Sequence, residues 1–176
     1  MKYLENSICQ FTPLFPINYS SKKNIVSTVF FKMPHSGYKP FTNYLNGIQH
    51  LSNTILKKLP NFSLRLFIDP SIHNDPEIMS SLNKIPNLEL ILFHCPSYTK
   101  NNFHRGTFGT LIRFFPMFNF PNNDANHVLV TDIDWSSESN VEDRLRIIKT
   151  YNTLQENNDL NNFCLLYTSD AADDTP

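Results

Sequence analysis

Hydrophobic positions along the chain fall into short apolar runs and longer stretches with helical spacing. Four of the runs predict buried strands, because each is rich in β-branched or aromatic residues and is bounded by turn residues. These runs are Ile25–Phe31, Phe62–Ile68, Leu88–Phe93 and His127–Ile133. The preceding stretch, Met1–Lys23, has no clean period, and its Pro13 and Pro16 favour an irregular lead-in or a short edge strand.

Between the strands, apolar residues recur every three or four positions, which is the spacing of amphipathic helices. The longest such stretch runs from Tyr38 to Leu59 and is closed by Pro60. The sequence Asp75-Pro76-Glu77 predicts the start of a second helix, because it supplies an N-cap acceptor, a proline at the first position and an acid in the first turn. The residues expected to point inward from this helix are Ile78, Leu82 and Ile85.

Two further helical segments complete the pattern. One is expected at Thr110–Phe118, and a capping box at Ser139–Glu142 predicts another after the last strand, with Tyr151 and Leu154 on its inner face. Strands and helices therefore alternate along the chain with short connections. This order predicts a single α/β domain in which a mostly parallel sheet carries helices on both faces.

The last predicted strand runs directly into two acidic residues, Asp132 and Asp134. Side chains alternate along a strand, so both carboxylates are expected on one face, with Cα atoms roughly 6–7 Å apart. Two negative charges this close need a counter-charge, and oxygen ligands favour Mg²⁺ or Mn²⁺. The alternative is a solvated turn. The position at the carboxyl end of a core strand favours a ligand site, because open α/β sheets bind their ligands there.

Composition narrows the class of protein. At 176 residues with 40% hydrophobic content, the chain is long enough for one domain and too apolar to be disordered. A formal net charge of −1 is not that of a nucleic-acid-binding protein. Cys9 and Cys95 have neither metal-ligand spacing nor the density of a secreted disulfide scaffold. No membrane span or signal peptide is visible, so the expected setting is the reducing cytoplasm, although a further part of the protein could carry an anchor.

The end of the chain differs from the rest in composition. Cys164–Asp174 resembles the translated read-through of a sequencing adapter, and such a segment is excluded from fold reasoning. We therefore expect a lead-in at residues 1–23, an incomplete domain at 24–163 and a foreign tail at 164–176, with the natural protein continuing beyond residue 163. The alternative is a native strand, Phe163–Tyr167, followed by an acidic tail.

Three segments in this order resemble the first part of a GT-A-type glycosyltransferase of the family 8-like group. They are the strand Ile25–Phe31, the arginine-containing aromatic segment Gly106–Phe118, and Val128–Asp134. The resemblance covers about residues 24–160 and implies a Rossmann-like GT-A sheet, truncated at its carboxyl-terminal side. It also implies transfer of a sugar from a nucleoside-diphosphate donor, most often a UDP-sugar, to an acceptor that the sequence leaves unknown. The catalytic residue is not identified, and residues 24–163 are expected to be inactive alone.

The resemblance also implies roles for individual residues. Asp134 would bind Mn²⁺ or Mg²⁺ most directly, and Asp132 would bind the metal and reach the ribose. Arg113 would hold an aspartate or the diphosphate; the alternative is a structural ion pair. Asp69 would accept a hydrogen bond from the nucleoside, although Asp-Pro is also an ordinary turn. Lys32 would reach the nucleotide, or else lie in solvent as most surface lysines do.

Two other classes of function remain open. A haloacid-dehalogenase-like phosphatase also has a strand that ends in Asp-x-Asp; there Asp132 would be the nucleophile and Asp134 the acid/base, with Ser136 two residues later. The motif usually lies on the first strand of that domain, whereas three strand–helix units precede it here. The third class is a non-catalytic α/β binding domain that holds no metal.

Overall fold

A computed structural model describes residues 9–14, 23–32, 41–100, 103–104, 108–118, 124–133, 150–151, 153–154, 156 and 165–166. Its main sheet has six strands in the order β1-β4-β3-β2-β7-β8. Neighbouring strands are parallel except for β1, which pairs with β4 in the antiparallel direction. The strands are β1 (Gln10–Pro13), β2 (Lys23–Phe30), β3 (Phe62–Ile68), β4 (Leu88–His94), β7 (Ala125–Val130) and β8 (Leu165–Leu166). A separate antiparallel sheet has two strands, β5 (Thr99–Lys100) and β6 (Phe103–His104). The predicted α/β class with a mostly parallel sheet and flanking helices is confirmed.

The direction in which the sheet grows reverses at β2. From β2 the chain proceeds to β3 and then β4 on one side, whereas β7 pairs with the other side of β2. In open α/β sheets this reversal leaves a crevice at the carboxyl ends of the two strands, and ligands bind there. The fold thus places a candidate ligand site between the ends of β2 and β7.

One face of the sheet is covered by regular helices. These are α1 (Phe41–Lys58), α2 (Pro70–His73) and α3 (Pro76–Leu82). They share one apolar cluster with the sheet, and burying each large aliphatic side chain contributes about 1.5–3 kcal/mol. Its central residues are Ile48, Leu51, Ile55, Ile72, Ile78, Leu82, Leu64, Leu66 and Leu90. The predicted inward positions of the second helix are confirmed, since Ile78, Leu82 and Ile85 are all buried.

The opposite face is covered by a shorter, aromatic segment. The sequence predicts one helix over Thr110–Phe118, but the structure has α4 (Phe108–Leu111) followed by a 3-10 helix over Ile112–Phe118. Pro116 explains the difference, because proline lacks an N–H donor and its ring clashes with the carbonyl four residues earlier in an α-helix. Ile112 is nevertheless fully buried and anchors this segment on the sheet.

A disulfide joins Cys9, immediately before β1, to Cys95, immediately after β4. The two residues are 86 positions apart in sequence. In the chain-entropy model a loop of this length makes such a bond worth about 4–5 kcal/mol. The spacing of the two cysteines in the sequence indicates no partner for either, so this bond was not predicted.

Several strands and helices differ from the bounds that the sequence predicts. The strand expected at His127–Ile133 is observed at Ala125–Val130, so Asp132 follows the strand and does not lie on it. Leu165–Leu166, in the expected foreign tail, pairs with the end of β7. The capping box at residues 139–142 lies outside the described residues. Tyr151 is helical and buried, and its ring packs at 5.0 Å from that of Phe62.

Among the described residues, no helix combines the length and the apolar character that crossing a membrane requires.

Candidate functional site

The predicted site residues follow three neighbouring strands at one edge of the sheet. Lys32 comes two residues after β2, Asp69 directly after β3, and Asp132 two residues after β7. Because these strands are parallel and adjacent, their carboxyl ends share one edge. Asp132 thus lies at the carboxyl edge of the sheet, and its role in binding a ligand stays a prediction. Asp134 lies outside the described residues, so the predicted common face of the two carboxylates is not tested.

Asp132 forms an ion pair with Arg113, in which Nη1 of the guanidinium donates to Oδ1 of the carboxylate. The two side chains are 12% and 28% exposed, so the pair lies at the rim of the fold, within reach of solvent. Holding an aspartate is one of the two roles that the family resemblance implies for Arg113, and the same contact fits the alternative of a structural ion pair. Its other predicted role, contact with a diphosphate, remains a prediction.

The backbone of the aromatic segment is hydrogen-bonded to the sheet at Arg113. The Ser27 hydroxyl on β2 donates to the Arg113 carbonyl oxygen at 2.6 Å. On the neighbouring strand, the N–H of Thr131 donates to the Ser27 carbonyl at 3.1 Å, which continues the pairing of β7 with β2 up to the residue before Asp132. One residue on the central strand thus positions both partners of the ion pair.

Gly109 allows the same segment to approach the end of β2. A Cβ atom at this position would lie 2.7 Å from Cε1 and Cζ of the Phe31 ring, which is closer than real Cβ contacts. Any larger residue here would therefore force the Phe31 ring to move. The contact of Gly109 with Phe31 sets how near the Arg113 segment lies to the sheet edge.

Asp69 and Lys32 belong to a second group of contacts at this edge. The buried Asp69 carboxylate caps α2: it accepts from the N–H groups of Ser71 and Ile72 and from the Ser71 hydroxyl. The Ser71 hydroxyl also accepts from the backbone N–H of Lys32 at 3.0 Å, and the Lys32 ammonium pairs with Asp75 at 2.8 Å. Asp69 thus has the turn role that the sequence offered as its alternative. Nucleotide contacts of Asp69 and Lys32 remain predictions.

The capping residue of α3 is held in its charged form by the same contacts. The hydrogen bond from Lys32 and those from the backbone N–H groups of Ile78 and Glu77 lower the pKa of the Asp75 carboxyl from its ordinary 3.8. Lys32 and Asp75 are 35% and 28% exposed, so solvent weakens their attraction.

The chemistry of the expected metal can be compared with the residues present. Asp132 supplies carboxylate oxygens, the ligand type that Mg²⁺ and Mn²⁺ prefer. In the described part of the chain, no group of three or more histidine, cysteine, aspartate or glutamate side chains is arranged to hold a metal. Part of the counter-charge that the sequence assigns to a metal comes instead from Arg113. The residue types fit a hard cation, with Asp134 as the ligand that would complete the pair.

A buried charged cluster that was not predicted lies on the face of the sheet that the Arg113 segment covers. Arg65, on β3, is 0% exposed and donates four hydrogen bonds of 2.7–3.0 Å to the carboxylates of Glu89 and Asp124. Lys23 pairs with Glu89 at 2.8 Å. Burial alone would lower the pKa of Arg65, but the bonds and charges of Asp124 and Glu89 outweigh it and raise the pKa. The signal that could have found this cluster is an arginine and a glutamate at inward positions of neighbouring strands.

Comparison of the chain with protein-family models, curated proteins and solved structures finds no match.

Proposed function

We propose that this chain forms the nucleotide-sugar-binding part of a metal-dependent glycosyltransferase, with a Rossmann-like sheet of the GT-A type. The observation that carries the proposal is the Arg113–Asp132 ion pair at the carboxyl end of β7. That end lies beside β2, where the strand order reverses, and nucleotides bind at such reversal points in open α/β sheets. The proposed donor is a UDP-sugar or another nucleoside-diphosphate sugar.

The two acidic residues, Asp132 and Asp134, would have different roles at the metal. Arg113 already neutralises one oxygen of Asp132, so we assign Asp134 as the direct ligand of Mn²⁺ or Mg²⁺ and Asp132 as a second, oriented acid. When bound, the metal supplies a positive charge that stabilises the leaving diphosphate. Arg113 fixes the Asp132 carboxylate before the donor arrives, which lowers the entropic cost of assembling the site.

Lys32 is the second basic residue assigned to the donor. Its ammonium pairs with the half-exposed Asp75 and lies at the end of β2, next to the reversal point. An exposed pair of this kind is worth about 1 kcal/mol or less, so a phosphate can replace Asp75 as the partner at little cost. Asp69 contributes indirectly in this proposal, because its carboxylate holds Ser71, which accepts from the Lys32 backbone.

Thermal unfolding with Mn²⁺ and UDP tests the proposal. A ligand that binds the native state stabilises it by about 2.7 kcal/mol when its free concentration is a hundredfold above Kd. We expect UDP to raise Tm when Mn²⁺ is present and to have no effect when the metal is chelated. The rise should vanish in Asp134→Ala and shrink in Arg113→Gln. Glu77→Gln, an exposed acid on α3, is the matched control and should respond like the parent chain. An equal rise in Asp134→Ala would refute the site assignment.

The same thermal-unfolding measurement also distinguishes the glycosyltransferase proposal from the phosphatase and the non-catalytic binding domain. A phosphatase with Asp132 as its nucleophile would be stabilised by beryllium fluoride with Mg²⁺, without any nucleotide, because this adduct mimics an aspartyl-phosphate. A non-catalytic binding domain would respond to neither mixture. The glycosyltransferase proposal requires a response to UDP with Mn²⁺ and no response to beryllium fluoride.

A further inference from the structure

Strand β1 is weakly held by its own contacts. It has four residues at the edge of the sheet, three of them exposed and Phe11 half-buried. It pairs with β4 alone, from Gln10 opposite His94 to Pro13 opposite Ile91. Segments with little buried apolar surface and exposed hydrogen bonds are the first to open in native proteins. Packing and hydrogen bonding therefore give β1 little stability of its own.

The Cys9–Cys95 disulfide compensates for this weakness. It links the residue before β1 to the residue after β4, at the open end of the pairing. Both cysteines are buried, in the same apolar cluster as Phe67, Phe93 and Ile112. The bond thus fastens the edge strand to the centre of the aromatic face.

Two features of the fold depend on where β1 lies. The ring of Phe11 packs against Phe67 at 6.1 Å and against Phe115 at 5.7 Å, and Phe115 is two residues from Arg113. On the other face, Gln10 and Thr12 form one wall of a cavity of about 310 Å³, and the opposite wall includes His73 of α2. Moving β1 would remove a support of the Arg113 segment and open this cavity.

The same cavity is lined by His94, a half-buried histidine at the end of β4. His94 lies directly opposite Gln10, and its buried Nδ1 has no hydrogen-bond partner among the described residues. His73, across the cavity, is exposed. Release of β1 would therefore uncover the buried Nδ1 of His94 and leave the exposure of His73 unchanged.

We propose that the Cys9–Cys95 disulfide is a redox-sensitive strap that holds β1 on the sheet and closes the cavity between β1 and α2. Reduction by a dithiol breaks the S–S bond: the dithiol supplies two electrons and two protons, two cysteine thiols form, and the dithiol becomes a cyclic disulfide. The strap is closed in oxidising compartments and open in reducing ones. The redox state of the chain's surroundings thus controls access to His94 and the packing of Phe11 on Phe115.

Hydrogen exchange tests the strap without altering the two cysteines. Cys164→Ser removes the third cysteine of the chain and prevents exchange of disulfide partners. The oxidised protein is compared with the same protein in dithiothreitol, with thiols counted by alkylation and mass spectrometry. We expect amide exchange in residues 9–14 to accelerate by about tenfold or more on reduction, with the central strand at residues 62–68 unchanged.

Carbethoxylation of histidines gives a second measurement in the same samples. We expect reduction to increase labelling of His94 and to leave labelling of His73 unchanged. Equal exchange in residues 9–14 before and after reduction would overturn the proposal, as would a bond that dithiothreitol leaves intact. Acceleration that extends equally to residues 62–68 would also overturn it, because the bond would then stabilise the whole fold and not β1. The outcome does not depend on whether the chain binds a nucleotide.

Discussion

Arg65 and Arg113 belong to one side of the sheet, yet their surroundings differ. Both lie next to Ser27: Arg65 is its register neighbour on β3, and the Arg113 carbonyl accepts from its hydroxyl. The Arg65 side chain is 1% exposed and lies between two carboxylates, whereas Arg113 is 12% exposed and its partner Asp132 is 28% exposed. The first arginine has its hydrogen-bonding capacity committed inside the protein. The second lies where a ligand can approach, which is what a binding residue requires.

Burial decides what each arginine contributes. Removing one partner of a buried ion pair costs about 3–5 kcal/mol, because the remaining charge is left without compensation in a poorly solvated place. An ion pair that solvent reaches contributes much less. Arg65 is therefore expected to determine stability, and Arg113 is expected to determine ligand binding.

The largest effect on stability is expected for the substitution Arg65→Leu, because it leaves Glu89 and Asp124 without their shared cation. We expect the free energy of unfolding to fall by about 3–5 kcal/mol, measured by urea denaturation. The matched variant Arg113→Leu should lose less than about 2 kcal/mol. If the two variants lost equal unfolding free energy, the Arg113–Asp132 pair would be as important for stability as the buried pairs of Arg65. The proposed division between a structural and a binding arginine would then be wrong.

A moderate effect is expected for Gly109→Ala, which moves the Arg113 segment without changing its charge. The added methyl group would overlap the Phe31 ring, and such overpacking costs about 1–3 kcal/mol. Alanine favours the helical backbone by about 1 kcal/mol, so the net loss of unfolding free energy is expected to be about 0–2 kcal/mol. Phe31→Leu in the same chain should restore much of that loss. A variant as stable as the parent would mean that the ring moves aside freely.

The smallest expected effect concerns the exposed pair of Lys32 and Asp75. The pKa of Asp75 is lowered in the folded state, so its contribution to stability is present above the ordinary value of 3.8 and is lost as pH falls through the folded value. Between pH 5 and pH 3, Tm of the parent chain should therefore fall slightly more than Tm of Asp75→Asn. Glu77→Gln serves as the control and should follow the parent. If Tm fell equally with pH in the parent and in Asp75→Asn, Asp75 would not contribute to the loss of stability in acid.

The parts of the fold that the sequence predicts well are those that local chemistry determines. The strand Phe62–Ile68 has the predicted bounds, because Pro60 precedes it and Asp69-Pro70 turns the chain at its end. The start of α3 is likewise where the sequence places it, since Asp75 accepts from the N–H groups of Glu77 and Ile78. Caps, turns and apolar periodicity act over a few residues and can be read from the sequence.

The parts that it predicts poorly depend on contacts between distant residues. Arg65 meets Glu89 and Asp124 across 24 and 59 positions, and Cys9 meets Cys95 across 86. Strand register brings these residues together, and it depends on the apolar pattern of whole strands and on the connections between them, which a few neighbouring residues do not determine. At the candidate site, the position of Asp132 after β7 follows from its apolar run. That Arg113 would hold an aspartate was expected only from the family resemblance, since no local pattern links residues 113 and 132.

The Cys9–Cys95 bond also has a topological consequence. It closes a covalent ring that contains the four strands β1 to β4, which lie side by side in the sheet. A protease that cuts the chain once between these cysteines would open the ring without separating the two pieces. The nicked protein would migrate as one species on a denaturing gel until a thiol is added, and then as two.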